Sequence, residues 1–311
     1  MRFKVKRRVT RRRAGVWIGT LLAGWTMAAA LMAAPQAPGN DLGERIAEIE
    51  SRLDARIGVA VLDTQTGRRW EYRADERFPM SSTFKAMACG AMLSRVDAGE
   101  ETLDRRIRFE ASDLVTYSPV TEKRTGGRGM TLAELCEATI TTSDNTAGNL
   151  ILKTLGGPAG LTEFMRSLGD DVTRLDRWET ALNEATPGDP RDTTTPRAMT
   201  DSLHTLLFAG RLSPASRERL IAWLVANQTG DAKLRAGLPE GWRIGDKTGG
   251  GGHGTNNDVA VIWPPGSGPL IVSVYLTDSE ASFEERNAAI AEIGRLVKAQ
   301  LERSRGATSG T

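Results

Sequence analysis

Strand-like segments lie at both ends of this 311-residue chain, and helical segments occupy the interval between them. Alternating and β-branched residues predict two strands within 57–76, whereas 78–227 is helical in pattern and interrupted by Gly-, Pro- and Thr-rich loops. Three more strands are predicted near the carboxyl end, at Trp242–Lys247, Asn257–Trp263 and Leu270–Thr277. This order implies one antiparallel sheet built from both termini, so we expect an α/β fold of the α+β type with an inserted all-helical lobe.

Helices are expected on the flanks of this sheet. Residues 42–58 have helical periodicity, and 282–303 have the pattern of an amphipathic helix. The expected organisation is therefore an export signal over 1–37, an α/β lobe over 38–77 and 228–304, an all-helical lobe over 78–227 and a disordered tail over 305–311. A crevice between the sheet and the helical lobe is a natural place for a ligand.

The amino-terminal residues have the composition of an export signal. Eight Lys or Arg and no acid occur in the first thirteen residues, and an uncharged run over 14–32 leads to a Pro- and Gly-rich break at 35–39. We expect cleavage near residues 30–37 and a periplasmic or secreted product without stable membrane association. The alternative is a retained membrane anchor. Thr10-Arg11-Arg12-Arg13 also resembles a twin-arginine export signal.

Removing the signal reverses the sign of the net charge. The full chain has 41 basic and 39 acidic residues, and the loss of eight signal cations leaves 33 against 39, a net charge of −6. Nothing in that balance favours nucleic-acid binding. Two histidines and two cysteines without a Cys/His cluster predict neither a zinc site nor another cofactor. We expect a monomer that acts on a small molecule.

A mostly apolar stretch, PMSSTFKAMACGAML (79–93), contains Ser82 and, three residues later, Lys85. In a buried helix both side chains would lie on the same face. A buried ammonium is costly, so the pKa of such a lysine falls and a hydroxyl beside it becomes an activated nucleophile. For an isolated Ser-x-x-Lys pair, a helix cap and a surface lysine are the simpler interpretation.

The spacing of the cysteines relates this stretch to Ser143-Asp144-Asn145. Cys89 follows Ser82 by seven residues, and Cys136 precedes Ser143 by seven. A cysteine pair in an exported protein favours a disulfide, with two buried thiols as the alternative. If the cysteines are bonded and their helices are antiparallel, the two serines lie at one level, about two turns from the bridge.

A lysine and a hydroxyl end a predicted strand at Lys247-Thr248-Gly249. There they would face the crevice and could hold a substrate carboxylate, while the glycines at 249–252 would let a ligand approach the backbone. A strand-to-turn transition without a ligand has the same pattern.

The segment from Arg177 to Asp192 has the length of a compact Ω-loop. Its two terminal residues could form an ion pair that closes it. Glu179 and Asn183 are four residues apart, so one turn would present both to the same water. A solvated loop whose acids have no function is the alternative.

Together these motifs are far more specific than any one of them. Their order and spacing resemble the class A serine β-lactamases over essentially all of 42–302; the matching motifs are Ser82-Thr83-Phe84-Lys85, Ser143-Asp144-Asn145, Glu179 with Asn183, and Lys247-Thr248-Gly249. The resemblance implies a β-lactamase/DD-peptidase-like fold. It also implies hydrolysis of the β-lactam amide of penicillins and cephalosporins through a serine acyl-enzyme, which confers antibiotic resistance.

The resemblance also implies a role for each matched residue. The implied catalytic residues are Ser82 as nucleophile, Lys85, Ser143 as proton relay, Glu179 and Asn183 on the hydrolytic water, and Lys247. The implied substrate-binding residues are Tyr117, Asn145, Thr248 and Gly250, with the backbone N–H groups of Ser82 and Gly250 as the oxyanion hole. Asp144 is expected to be structural. Whether Lys85 or Glu179 takes the Ser82 proton stays open at this point.

One departure from the family concerns the carboxylate site. Many relatives place an arginine there, either on the strand after Lys-Thr-Gly or on the facing helical lobe. This chain has Asn256 at the first of these positions and Lys233 at the second. We expect Lys233 to substitute partly, as a point charge in place of a bidentate group.

Two other functions share the serine and lysine motifs. They are a penicillin-binding DD-peptidase and a covalent β-lactam sensor domain. The pair Glu179 and Asn183 argues against the peptidase, because it would deliver the water that frees the enzyme. A sensor would need a retained membrane segment and a signalling partner, and the sequence indicates neither.

Overall fold

The computed structural model describes residues 41–308. The helices and strands, in chain order, are α1 Asp41–Leu53, β1 Arg56–Asp63, β2 Arg69–Tyr72, β3 Phe78–Pro79, α2 Phe84–Asp97, β4 Arg106–Ile107, β5 Met130–Thr131, α3 Leu132–Thr141, α4 Asn145–Leu155, α5 Gly157–Ser167, β6 Thr193–Thr194, α6 Pro196–Leu207, α7 Pro214–Val225, α8 Leu234–Gly237, β7 Arg243–Gly250, β8 Asn256–Trp263, β9 Leu270–Thr277 and α9 Phe283–Thr308. Short 3₁₀ turns precede α2 and interrupt several loops.

One antiparallel sheet joins the two ends of the described chain. Its strand order is β2-β1-β9-β8-β7, and β1 pairs along its whole length with β9, with Val59 opposite Val274. Helices α2 to α7 come from the intervening segment, so the predicted α+β architecture is confirmed. All residues of β9 are buried because helices pack on both faces of the sheet.

Two apolar cores lie on opposite sides of the sheet. The outer core joins the sheet to α1 and α9; it includes Ile46, Ile49, Ile290, Ile293 and Val297. The inner core joins the sheet to the helical segment; it includes Met87, Leu135, Ile151, Leu203 and Tyr275. Helix α2 runs through the inner core, and its residues 84–93 are all buried. A polar side chain on α2 must therefore find its partners inside the protein.

The helix predicted over 42–58 is shorter in the structure. It ends at Leu53, and Asp54 adopts a left-handed conformation with φ +43°. Strand β1 then begins at Arg56, because its β-branched residues are buried against the sheet neighbours.

Two boundaries near the carboxyl end also differ from the prediction. Strand β7 continues past Lys247 to Gly250, so the Lys-Thr-Gly motif lies inside a strand that pairs with β8. Helix α9 continues to Thr308, which makes the first part of the predicted disordered tail (305–311) helical. The chain there has no proline to end the helix.

Some predictions are not decided by this architecture. The predicted export signal lies outside the described residues. The described residues form one compact unit, and the division into lobes at 78 and 227 stays a prediction. Between residues 41 and 308, no helix has both the length and the hydrophobicity needed to cross a membrane.

Candidate active site

Ser82 lies in a 3₁₀ turn, Ser81–Thr83, directly ahead of α2 rather than within its first turn as predicted. The turn is held from both sides: Met80 N donates to Asp192 O at 2.9 Å, and Asn257 Nδ2 donates to Met80 O at 3.1 Å. Ser81 is left-handed, with φ +44°. The Ser82 hydroxyl is consequently presented at the edge of a cleft while α2 continues into the core.

Lys85 is fully buried and reaches two other segments, the Ser143–Asn145 motif and the Ω-loop. Its Nζ donates to Ser143 O at 2.8 Å and to Asn145 Oδ1 at 2.6 Å, and it lies 3.0 Å from Glu179 Oε1. Burial lowers the pKa of Lys85 below its ordinary value, and the Glu179 charge opposes part of that shift. One carboxylate and two oxygen acceptors therefore compensate for the cost of burying this amine.

Glu179 also contacts the Ser82 hydroxyl. Ser82 Oγ donates to Glu179 Oε1 at 3.3 Å, and Asn183 Nδ2 donates to Glu179 Oε2 at 2.5 Å. Asn183 Oδ1 is buried and has no hydrogen-bond partner within residues 41–308. The Glu179 carboxylate thus joins the Ser82 hydroxyl to Asn183, whose amide oxygen has spare capacity, and a bound water needs two to four such partners.

The backbone of Glu179 is held by Asn149, a residue that the sequence motifs did not indicate. Asn149 Oδ1 accepts from Glu179 N at 3.0 Å, and Asn149 Nδ2 donates to Glu179 O at 3.0 Å. The Glu179–Thr180 peptide bond is cis. Asn149 follows Asn145 by one helical turn on α4, and that spacing was the only sequence signal for it.

Ser143 lies between the amino groups of two lysines. Its Oγ accepts from Lys247 Nζ at 3.1 Å and from Lys85 Nζ at 3.4 Å. Burial lowers the pKa of Lys247 well below its usual value, and the positive charges of Lys85 and Lys233 lower it further. Both lone pairs of the Ser143 hydroxyl face donors, so its proton is directed elsewhere.

Asp144 and Asn145 hold the loop that carries Tyr117. Asp144 accepts from the backbone of Val120, Thr121 and Ala147 at 2.8–2.9 Å and caps α4. Asn145 Nδ2 donates to Thr116 O at 2.8 Å. The Tyr117 side chain remains 58% exposed and lines the cleft.

The cleft beside Ser82 has a volume of about 310 Å³. Its wall includes Ser82, Tyr117, Ser143, Asn145, Asn183, Thr229, Lys233, Thr248, Gly250 and Phe283. Thr248 and Gly250 reach it from β7. The sequence did not indicate Thr229. Its hydroxyl oxygen lies 2.5 Å from Thr248 Oγ1.

Lys233 reaches the same cleft although it is almost fully buried. Its Nζ donates to Asn256 Oδ1 at 2.5 Å and to Asn257 O at 3.1 Å. Asn256 Nδ2 in turn donates to Asn287 Oδ1 at 2.9 Å. Burial lowers the pKa of Lys233 to about 8, while the nearby Asp258 charge opposes the shift. An amine thus occupies the expected carboxylate end of the cleft.

The Ω-loop is closed at its two ends. Arg177 Nε donates to Asp192 Oδ2 at 2.5 Å, and Asp192 Oδ1 accepts from the backbone N–H groups of Asp176 and Arg177. Asp192 is buried, so the charge pair is shielded from solvent. This ion pair holds the loop at Arg177, only two residues before Glu179.

The predicted disulfide between Cys89 and Cys136 is not present in the structure. Both residues are free, buried thiols, and Cys89 Sγ lies 3.8 Å from Cys136 O. Burial raises the pKa of the Cys89 thiol well above its usual value, and the neighbouring Cys136 thiol adds to the rise. The two side chains are neighbours as expected, but they are free thiols rather than a bridge.

Within the described residues, no three His, Cys, Asp or Glu side chains are arranged to hold a metal ion. The arrangement brings together the hydroxyls of Ser82 and Ser143, three amines of lowered pKa and one carboxylate. These are the groups of nucleophilic and general acid–base catalysis.

A family model described as "Beta-lactamase enzyme family" matches residues 41–301. The chain is 52% identical over 255 residues to Beta-lactamase FAR-1 of Nocardia farcinica (strain IFM 10152), covering 82% of this chain and 81% of that protein. It is 53% identical over 253 residues to Beta-lactamase AST-1 of Nocardia asteroides, covering 81% of each protein.

Solved structures give the same result. The chain is 66% identical to an ancestral (GNCA) class A β-lactamase, with a TM-score of 0.82 over 83% of this chain and 99% of that one. It is 57% identical to the putative class A β-lactamase PenP from Rhodopseudomonas palustris, again with a TM-score of 0.82, 83% coverage of this chain and 99% of that one.

Proposed function

The chain belongs to the class A serine β-lactamases and is a hydrolase of β-lactam antibiotics, and we propose that Ser82 forms its acyl-enzyme intermediate. One observation carries this assignment: Ser82 Oγ lies 3.3 Å from Glu179 Oε1, and Lys85 Nζ lies 3.0 Å from the same oxygen. A nucleophile, a base and a cation that orients the base are thereby within reach of one another.

In the acylation step, Ser82 Oγ attacks the β-lactam carbonyl carbon and Glu179 takes the hydroxyl proton. The Ser82-to-Glu179 hydrogen bond supports this choice, since the protons of Lys85 are directed at other oxygens. The backbone N–H groups of Ser82 and Gly250 receive the developing negative charge. Preorganised donors of this kind typically contribute about 3–4 kcal/mol to lowering the barrier.

Ser143 transfers a proton to the ring nitrogen as the amide bond breaks. Its hydroxyl accepts from Lys247 and Lys85, which leaves its own proton available for the leaving group. The lowered pKa of both amines makes either one able to resupply that proton. The proton that Glu179 took from Ser82 then passes to Lys85, 3.0 Å away, and Glu179 is a carboxylate again. Asn145 binds the side-chain amide of the antibiotic, and Tyr117 forms one wall.

Deacylation uses a water held by Glu179 and Asn183. Glu179, again a carboxylate, removes a proton from that water as the water oxygen attacks the acyl carbonyl carbon, and the same proton passes to Ser82 Oγ when the ester bond breaks. The free acceptor on Asn183 and the bond from its amide nitrogen to Glu179 support this role. A DD-peptidase or a covalent sensor would be acylated without this step, and these two residues favour the β-lactamase over both.

Lys233, Thr248 and Lys247 hold the carboxylate of the antibiotic. Two protons of the Lys233 ammonium are directed at Asn256 and Asn257, and the third is available to a ligand in the cleft. A lysine there offers one strong donor where an arginine would offer a planar pair.

A turnover measurement with a Ser82→Ala variant tests the assignment. With a penicillin in large excess, the wild-type enzyme should turn over many equivalents, whereas the variant should neither turn over nor gain mass. Ser81→Ala is the matched control, because the neighbouring Ser81 Oγ is buried and without a partner among the described residues. Stoppage of the wild-type enzyme after one equivalent would instead identify a DD-peptidase or a sensor.

We also propose that the enzyme is exported, with cleavage near residues 30–37, and acts as a monomer in the periplasm or outside the cell. The basic and uncharged segments of the amino terminus support export. Amino-terminal sequencing of the mature protein and its mass in solution test the two statements separately.

A further inference from the structure

Phe283 is an exposed aromatic residue in the wall of the cleft, beside Lys233. Three large hydrophobic side chains are exposed among the described residues, and two of them, Tyr117 and Phe283, line this one cavity. Phe283 is 52% exposed although it begins a long helix. An exposed ring at a reaction cleft is more informative than one on an ordinary surface, because it faces the substrate.

The position of the Phe283 ring is set by its own helix terminus. Ser282 Oγ accepts from Glu285 N at 3.2 Å, and Glu285 Oε2 accepts from Ser282 N at 2.8 Å, which forms a reciprocal cap at the start of α9. The backbone of Phe283 is held between these two bonds. The ring is therefore offered to the cleft without the cost of ordering a flexible loop.

The ring also adjoins the group assigned to the carboxylate. Lys233 Nζ lies 5.9 Å from the centre of the Phe283 ring, within the range of a cation–π contact. Lys233 itself is only 3% exposed. A substrate whose carboxylate binds Lys233 in this cleft therefore has the Phe283 ring within reach of the atoms next to that carboxylate.

We propose that Phe283 is a specificity-determining residue, whose ring selects β-lactams with an apolar or aromatic substituent on the carbon beside the carboxylate-bearing carbon. This inference rests on the proposed function, because it takes the carboxylate to lie on Lys233 and Thr248. In cephalosporins the substituent concerned is the one at C3. The contact is the same before and during the reaction, so it acts on substrate capture rather than on the chemical steps.

The test compares two cephalosporins with the same acylamino side chain, one with a methyl group at C3 and one with an aryl group joined there by a carbon–carbon bond. For Phe283→Ala, kcat/KM for the aryl compound should fall about five- to twentyfold, as expected for the loss of one aromatic contact. The kcat for that compound, and both parameters for the methyl compound, should change less than about twofold. Phe283→Tyr keeps the ring and should behave as the wild type.

Equal changes for the two cephalosporins, or no change for either, would overturn the proposal. The unchanged methyl compound also shows that Phe283→Ala is folded and active. The wild-type enzyme tests the proposed β-lactam hydrolysis separately. If that function is wrong, the wild type turns over neither cephalosporin.

Discussion

At the scale of single residues, Glu179 takes part in both halves of the proposed cycle, but the two halves depend on it unequally. Lys85 lies 3.0 Å from Glu179 Oε1, the oxygen that Ser82 contacts, so we expect it to take over as the acylating base when the carboxylate is removed. Glu179 is the main influence that opposes the lowering of the Lys85 pKa, so its removal makes Lys85 a neutral amine more readily. In the proposed deacylation, by contrast, the water is activated by Glu179 and oriented by Asn183.

We therefore expect Glu179→Ala to slow deacylation more than acylation and to accumulate the acyl-enzyme. Intact-protein mass spectrometry should find the mass of one penicillin added at Ser82, with kcat lowered by about 10²-fold or more, the range for loss of a general base. Glu184→Ala removes an exposed carboxylate of the same loop and serves as the control. Rapid loss of the adduct in Glu179→Ala would show that another group activates the water.

At the scale of structural elements, the Ω-loop is attached to α4 through Asn149. The two hydrogen bonds of Asn149 hold the peptide groups on either side of the Glu179 side chain. We expect Asn149→Ala to lower kcat by about ten- to a hundredfold, because a displacement of about 1 Å at a catalytic group is sufficient for that loss. The acylation rate, measured separately by stopped flow, should fall less, which a general loss of folding would not produce.

Gly251 sets the distance between the end of β7 and the Ω-loop. A Cβ atom at Gly251 would lie 2.7 Å from Asn183 O and 2.8 Å from Ser81 Oγ. Gly251→Ala must therefore displace the loop or the strand, and we expect it to lower the free energy of unfolding by about 1–3 kcal/mol, as overpacking does. Gly250→Ala is the matched control, since its nearest contact would be at 3.8 Å. Equal urea midpoints for the two variants would contradict this.

The elements that the sequence predicted well are those with a strong local pattern. The predicted bounds of β9 agree with the structure, and those of β8 differ by one residue, because a fully buried strand between turns has few alternatives. Asn149 and Thr229 escaped prediction for the opposite reason. Each acts on a residue from another element, Glu179 and Thr248, and such a contact exists only once the chain is folded.

At the scale of the whole molecule, the site concentrates amines in a place where burial opposes their charge. Lys85, Lys233 and Lys247 are buried together, and burial lowers the pKa of each. The carboxyl groups of Asp246 and Asp258 lie near them, and burial raises the pKa of both. These buried lysines and aspartates reduce the stability of the folded state at neutral pH. The two apolar cores offset that loss.

Lys233 provides a test of this conflict, because its pKa of about 8 in the folded protein lies far below the 10.5 of an ordinary lysine. Between these values the unfolded chain binds more protons than the folded protein, so stability rises with pH. Relative to Lys233→Arg, which stays charged, the wild-type free energy of unfolding should rise by up to about 3 kcal/mol from pH 7.5 to pH 10.

Over the same pH range the wild-type enzyme should lose its hold on the substrate carboxylate. Its KM for a penicillin should rise above about pH 8, whereas the KM of Lys233→Arg should not, because an arginine remains protonated. Asp246, Asp258, Arg286 and Lys247 also influence this region, but they are common to both proteins and cancel in the comparison. If the free energy of unfolding and KM depend on pH in the same way for both proteins, Lys233 keeps its proton over this range. Its burial then does not set the pH above which substrate binding weakens.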